Sequence, residues 1–169
     1  MGLGDNVLKN FSLFVDGRGF AGEIEEFNPP KLALKMEEFR SGGMDAPVDI
    51  DMGMEKLTTT LTLSGITKEA LVQFGVSENN GVNLTARGAL VNLDGSVKPV
   101  VIQMRGTVNE VEEGAWAAGN KTTLKLAATL NYYKRDHDGE TIYEIDVLNM
   151  IRNINGVDQL EAIRNAIGV

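Results

Sequence analysis

The alternation of apolar and polar positions divides the chain into strand-sized runs. In PKLALKMEEF, Leu32, Leu34 and Met36 share one face at period two, with Lys35 and Glu37 on the other. In EKLTTTLTLS, Leu57, Leu61 and Leu63 share a face with Thr59, while Lys56, Thr58, Thr60 and Thr62 take the opposite one. Both runs predict half-buried strands. The fifteen residues between them, Arg40 to Met54, carry Gly42, Gly43, Pro47 and Gly53 and read as a connection with no usable period. Connections of this length are uncommon in compact domains and are usually functional or disordered. This one holds Met44, Val48, Ile50, Met52 and Met54, more apolar side chains than a purely solvated loop carries.

Upstream, Phe11 to Val15 predicts a short strand ending at Asp16-Gly17. Phe20 to Phe27 continues extended until Asn28-Pro29-Pro30 stops it. After Ser64 the period changes. Thr67 stands as N-cap of a short helix packed by Ala70, Leu71 and Phe74, with Ile66 placed to staple onto Leu71 and Gly75 as its end. Asn79-Asn80-Gly81 is a turn, and VNLTARGALVNL is a strand whose phase change near Gly88 predicts a bulge there. Asp94-Gly95 gives the strongest two-residue hairpin signal, a type I′ turn. The return strand places Val100, Ile102, Met104 and Val108 on one side and Val101, Gln103, Arg105, Thr107 and Asn109 on the other, with Pro99 at a strand start on an edge.

The loop from Glu112 to Asn120 carries the sole tryptophan, Trp116, which is expected to anchor the loop to the body. Then comes the longest alternation. It places Leu124, Leu126, Ala128, Leu130 and Tyr132 inward and Lys125, Ala127, Thr129, Asn131 and Tyr133 outward. Asp138-Gly139 turns the chain into TIYEIDVLN. Asp158 as N-cap, with Glu161 three residues on, opens a closing helix that spaces Leu160, Ile163 and Ile167 along one face. Many strands with turn signals between them, and two helices without βαβ alternation, indicate a mainly β chain. The expected form is one antiparallel β-sandwich or barrel spanning residues 1–169, with two short flanking helices.

Several long runs, in order, resemble the major tail tube protein of contractile-tailed bacteriophages, and the tube protein of R-type pyocins is similar too. They are LFVDGRGFAGEI, PPKLALKMEEFRSGGMDAPVDIDMGMEKL and YEIDVLNMIRNINGVDQL, so the resemblance spans nearly the whole chain. The resemblance implies a structural protein that forms six-membered rings stacked into a tube. It implies assembly from a baseplate around a tape-measure protein, a terminator at the far end and a surrounding tail sheath. In a phage, DNA passes through the tube without specific binding; in a pyocin the tube punctures the envelope. Localisation is then the virion tail or pyocin particle, assembled in the bacterial host cytoplasm. A tube component of a related secretion machine and a small-ligand-binding β-barrel are the alternatives.

Charge adds to this picture. The formal net charge is −8, and between Glu23 and Glu55 nine acids face three bases, so that stretch carries −6 of it. Phosphate binding needs clustered Lys and Arg, so an acidic chain is a poor nucleic-acid binder. A ring-forming chain pairs its open strand edges with the next copy. The expected subunit contact is therefore the connection itself, through Arg40, Gly42, Gly43, Met44, Asp45, Pro47, Val48, Ile50, Met52 and Met54. The small polar side chains Lys56, Thr58, Thr60, Thr62, Lys125, Thr129 and Asn131 are candidates for the lumen or ring surface.

Catalytic chemistry finds little footing. There is no cysteine, and His137 is the sole histidine, expected on a solvated turn. Gly17 to Gly22 matches GxGxxG, but Asn28-Pro29-Pro30 forbids the helix whose N-terminus must meet a pyrophosphate. Asp45, Asp49 and Asp51 miss the spacing of a calcium loop, and Glu37 and Glu38 point to opposite faces of a strand. The expectation is no enzyme, no cofactor and no metal. The opening MGLGDNVLKN lacks a secretory pattern, and no run approaches a membrane span, so no stable membrane insertion is expected.

Overall fold

The computed structural model describes residues 6–19, 23–76 and 81–169. The strands are β1 (Val7–Val15), β2 (Arg18–Gly19), β3 (Ile24–Asn28), β4 (Leu34–Phe39), β5 (Val48–Met54) and β6 (Leu57–Leu63), then β7 (Val82–Val91) and β8 (Val97–Glu112). They continue with β9 (Leu124–His137), β10 (Glu140–Asp146), β11 (Ile151–Ile154) and β12 (Val157–Asp158); helix α1 (Lys68–Leu71) follows β6 and α2 (Glu161–Ile167) follows β12. One sheet runs β12-β11-β10-β9-β8-β7-β1-β2, with β6 added to β9 and β3 to β6, and every ladder in it is antiparallel. The mainly β class with two short helices stands, but the sheet does not close into a barrel. The reason lies in β9. Its first half, Leu124 to Leu130, pairs with β6, and its second half, Tyr132 to His137, pairs with β10, so the sheet branches there.

Register shows where the core sits. Leu57, Thr59, Leu61 and Leu63 lie opposite Leu130, Ala128, Leu126 and Leu124, and all eight are buried. On the other side Met104 lies opposite both Leu84 and Tyr133, Ile102 opposite Ala86, and Ile145 opposite Tyr133. Directly opposed residues share a face, so one face of the curved sheet carries the hydrophobic cluster. Thr59, the polar member of this row, is satisfied by donating its hydroxyl to the Asn28 carbonyl at 2.7 Å.

Two positions in β9 are exchanged relative to the alternation. Tyr133, not Tyr132, is buried, because Asn131 has no opposite number in β8: Gly106 faces Leu130 and Arg105 faces Tyr132. One extra residue flips the phase of everything after it. Gly106 sits at this bulge, where a Cβ would stand 2.1 Å from the Thr129 carbonyl oxygen and 2.7 Å from the Leu130 Cα. Backbone atoms cannot step aside. Gly106→Ala is expected to cost about 1–3 kcal/mol or more, read as a lower urea midpoint with an unchanged slope.

The turns divide by chemistry. Asp16-Gly17, Asp138-Gly139 and Asn155-Gly156 have positive φ at both residues and join directly paired strands, the type I′ geometry. Asp94-Gly95 does not: only Gly95 has positive φ, and Gly95 N–H donates to the Asn92 carbonyl within a five-residue connection between Val91 and Val97. The Asp94 carboxylate instead accepts from Ser96 N–H and Oγ, which holds the longer turn. Pro99 lies inside β8, opposite Ala89, not at a strand start. Its carbonyl accepts from Asp138 N–H, beyond the end of the β9 ladder, so its missing N–H costs no strand pairing.

Other expectations shift by a few residues. β1 begins at Val7, and the irregularity predicted near Gly88 lies in β1, where Lys9 is passed over between Leu8 and Asn10. At Gly88 a Cβ would come 3.0 Å from Leu8 Cδ1, the end of an exposed and flexible side chain that can give way. Residues 20–22 of the extended run, which include the end of the GxGxxG match, and residues 79–80 of the Asn-Asn-Gly turn lie outside the described residues. Helix α1 is four residues long; Thr67 makes no side-chain cap, and Ala70 is buried while Phe74 is exposed, bridging to Val108 through its backbone. Helix α2 starts after Leu160, with Asp158 accepting from Leu160 N–H at 3.0 Å, and none of its residues is buried.

Candidate functional site

The outward face of β3, β6, β9 and β8 gathers polar side chains from four strands. Thr58 lies opposite Thr129, Thr60 opposite Ala127 and Thr62 opposite Lys125. On the flanks Glu26 faces Thr62, Asn28 faces Thr60, Thr107 faces Thr129, Glu110 faces Ala127 and Glu112 faces Lys125. The structure thus joins two sets of polar positions that the sequence places sixty residues apart. Asn28 Nδ2 donates to Thr60 Oγ1 at 2.8 Å and to Glu26 Oε1 at 3.2 Å, and Asn109 Nδ2 to Thr129 Oγ1 at 3.1 Å, so the threonines are knit sideways. Glu26, Glu110 and Glu112 around Lys125 give this shallow cleft an acidic balance. Lys56 lies outside β6, and Asn131 falls on the bulge beyond the β6 ladder.

Past the bulge the same face continues into a tighter cluster. The Arg105 guanidinium lies 5.2 Å from the centre of the Tyr132 ring, and Tyr132 Oη donates to Glu144 at 2.9 Å. Partial burial, with Glu144 next to the hydroxyl, pushes Tyr132 up to about 12, so it stays protonated throughout the neutral range.

The fifteen-residue stretch is not a loop. Val48 to Met54 forms β5 and pairs with β4 as a two-stranded hairpin that shares no ladder with the main sheet. Only residues 40–47 connect the strands. There Arg40 Nε donates to the Met44 carbonyl at 3.2 Å and Gly43 has φ 90°, so Gly42 and Gly43 form the tip instead of an end of the arm. Gly53, at φ 108°, sits in an irregular register near the base. Pairing of Phe39 with Val48 and of Glu37 with Ile50 puts three apolar side chains on one face; Glu38, Asp49, Asp51 and Met36 take the other. An amphipathic hairpin results. Every residue of β4 and β5 is exposed except Met54, which packs against the core and belongs to the body.

The arm is tethered at mid-length. Arg152 Nη2 of β11 meets Asp51 Oδ2 at 2.7 Å, and Gly53 N–H donates to the other oxygen. The Gly53 amide first, then Arg152, holds the Asp51 carboxyl below the usual carboxylate range. At the far end of the chain Ile163, Ile167 and Val169 are exposed together, and Arg164 pairs with Asp158 at 2.7 Å. Trp116 is 75% exposed and does not pin its loop; Lys121 of the same loop pairs with Glu25. These apolar groups carry no alternation signal that distinguishes an inward from an outward destination.

His137 ends β9 and is half-buried, not solvated: Arg135 Nε donates to its Nε2 at 2.8 Å. Burial first, then the Arg135 charge, lowers its pKa, so it is the neutral imidazole that accepts this bond. Among the described residues no cluster of His, Cys, Asp or Glu is grouped to hold a metal ion, and no helix is long and apolar enough to cross a membrane.

The profile of the phage tail tube protein FII family matches residues 5–168. The chain belongs to that family. It is 31% identical over 166 residues to the tail tube protein of Escherichia phage P2, covering 96% of each chain, and 29% identical over 151 residues to the major tail tube protein of Serratia phage KSP20, covering 88% and 87%. Its fold is similar to a chain of the sheath-tube complex of an extracellular contractile injection system, PVC, in its extended state. That likeness has a TM-score of 0.56 at 9% identity, over 75% of this chain and 87% of the other. The chain is therefore a tail-tube structural protein, not an enzyme. The small-ligand barrel is set aside on the same ground.

Proposed function

We propose that six copies of the chain close into a ring, that rings stack into the inner tube of a contractile tail, and that the outward face of β3, β6, β9 and β8 lines the bore. The carrying observation is the threonine and glutamate field on that face. Short, uncharged hydroxylated side chains, two of them held in place by asparagine amides, offer a passing polymer no cationic grip, and Glu26, Glu110 and Glu112 repel phosphate. Six copies at −8 give a ring of about −48, so the wall does not hold DNA. DNA transit in a phage, or envelope puncture in a pyocin-like particle, both fit such a wall. A sheath outside, a tape-measure protein within, and baseplate and terminator at the ends complete the assembly.

The arm, residues 34–54, supplies the contact between copies. Among the described residues nothing covers its apolar face, and Phe39, Val48 and Ile50 stand exposed. Negative-stain microscopy of the purified protein tests this directly: rings or tubes with a central hole are expected at high protein concentration. A chain that light scattering finds monomeric at every concentration and salt would end the proposal.

A further inference from the structure

The inner face of the sheet is open at one end. There Phe11 of β1, Leu90 of β7, Ile102 of β8 and Phe27 of β3 help wall a mostly apolar cavity of about 200 Å³, with Arg87 and Arg135 among its lining. A cavity of roughly 150 Å³ holds a benzene ring, so this one has room for a single phenyl side chain. Phe11 and Phe27 are only half-buried around it.

We propose that this cavity receives Phe39 from the arm of a second copy of the chain. Phe39 is the sole aromatic residue of the arm, stands exposed where β4 ends, and lies outside the cavity of its own chain. Asp51 pairing with Arg152 of β11 fixes the lower half of that arm to its own body. Charge selects the occupant. The tip half of the arm carries Glu37, Glu38, Asp45 and Asp49 against one base, Arg40, which is turned back onto the Met44 carbonyl, whereas Arg87 and Arg135 are both among the residues that line the cavity. A phenyl ring entering between Phe11 and Phe27 gains edge contacts, and the arm's carboxylates come to rest on the side of the cavity that Arg135 lines. This deepens the proposed function by naming the surface that receives the arm, and it rests on that reading.

The chain has no cysteine, which makes the test direct. Phe39→Cys and Leu90→Cys proteins, purified separately and mixed under mild oxidation, are expected to give a disulfide-linked dimer as the main product. Trp116→Cys or Ile163→Cys mixed with Leu90→Cys is expected to stay monomeric on a denaturing gel. Phe39→Ala, cysteine-free, is expected to raise the concentration needed for tube formation roughly thirtyfold, as for an emptied aromatic hot spot, with Phe39→Tyr close to the parent. Tubes that form without the Phe39–Leu90 link, a link from Leu90 to Ile163 or Trp116 instead, or an unchanged threshold for Phe39→Ala overturns the proposal while leaving tube formation intact. If the parent forms no tubes and the paired cysteine variants give no link, both this and the proposed function fall.

Discussion

Replacing residues 43–52 by a short Gly-Ser linker leaves a protein that melts cooperatively near the parent temperature and forms no tubes. The buried core contains no residue of β4 or β5, and the two strands pair only with each other, so the exchange opens no cavity in the body and removes from it a single ion pair, Asp51–Arg152. Assembly is another matter. Burying Val48, Ile50 or Met52 against a neighbour is worth about 1.5–3 kcal/mol each, and the contact recurs around every ring. Circular dichroism melting and microscopy on one variant separate the two effects. Were the arm part of the core, removing its large side chains would cost roughly 2–5 kcal/mol apiece, and the variant would melt early or aggregate. Normal tubes from the armless chain would remove it from assembly altogether.

The triple variant Thr58→Lys, Thr60→Lys and Thr62→Lys turns tubes that ignore DNA into tubes that retain it. These three positions alternate with the buried leucines of β6, so the substitutions point away from the core and leave stability nearly unchanged. The proposed six-membered ring would then carry about eighteen new cations on one wall, and binding should weaken with salt at a slope of about 0.9 per phosphate neutralised. Co-sedimentation of tubes with labelled single- and double-stranded DNA at two salt concentrations gives the comparison. If the lysines lie on the outside of the tube, they react with a bulky amine reagent that cannot enter the bore, and the lining must be sought on another face.

Much of the body is legible in the sequence because its alternation is strict where strands are buried on one side. β6, β8 and the first half of β9 follow from Leu57 to Leu63, Val100 to Val108 and Leu124 to Leu130. The turns at Asp16-Gly17 and Asp138-Gly139 follow from the need for two positive φ angles. What is hidden has specific causes. The bulge at Asn131 leaves no mark in its own strand, since any residue can be passed over, and its trace is Gly106 across the ladder; it exchanges Tyr132 with Tyr133. β5 does leave a mark: Val48, Ile50 and Met52 alternate with Asp49, Asp51 and Gly53. The glycines and proline around that run masked it. Trp116, Ile163 and Ile167 show a deeper limit. Their apolar character calls for burial, but a sequence does not say whether the partner belongs to the same chain or the next.

The branching of β9 also sets a timetable for synthesis. β7 to β12 form a meander in which each strand pairs with the one just made, whereas β6 must wait for Leu124 to Leu130 before it has a neighbour on that side. About sixty residues separate the two, so at 5–20 residues per second the leucine face of β6 stands bare on the ribosome for roughly 3 to 12 seconds. Any change that lengthens this interval, or makes the waiting segment more adhesive, shows itself as aggregate in the producing cell even when the finished subunit melts as before.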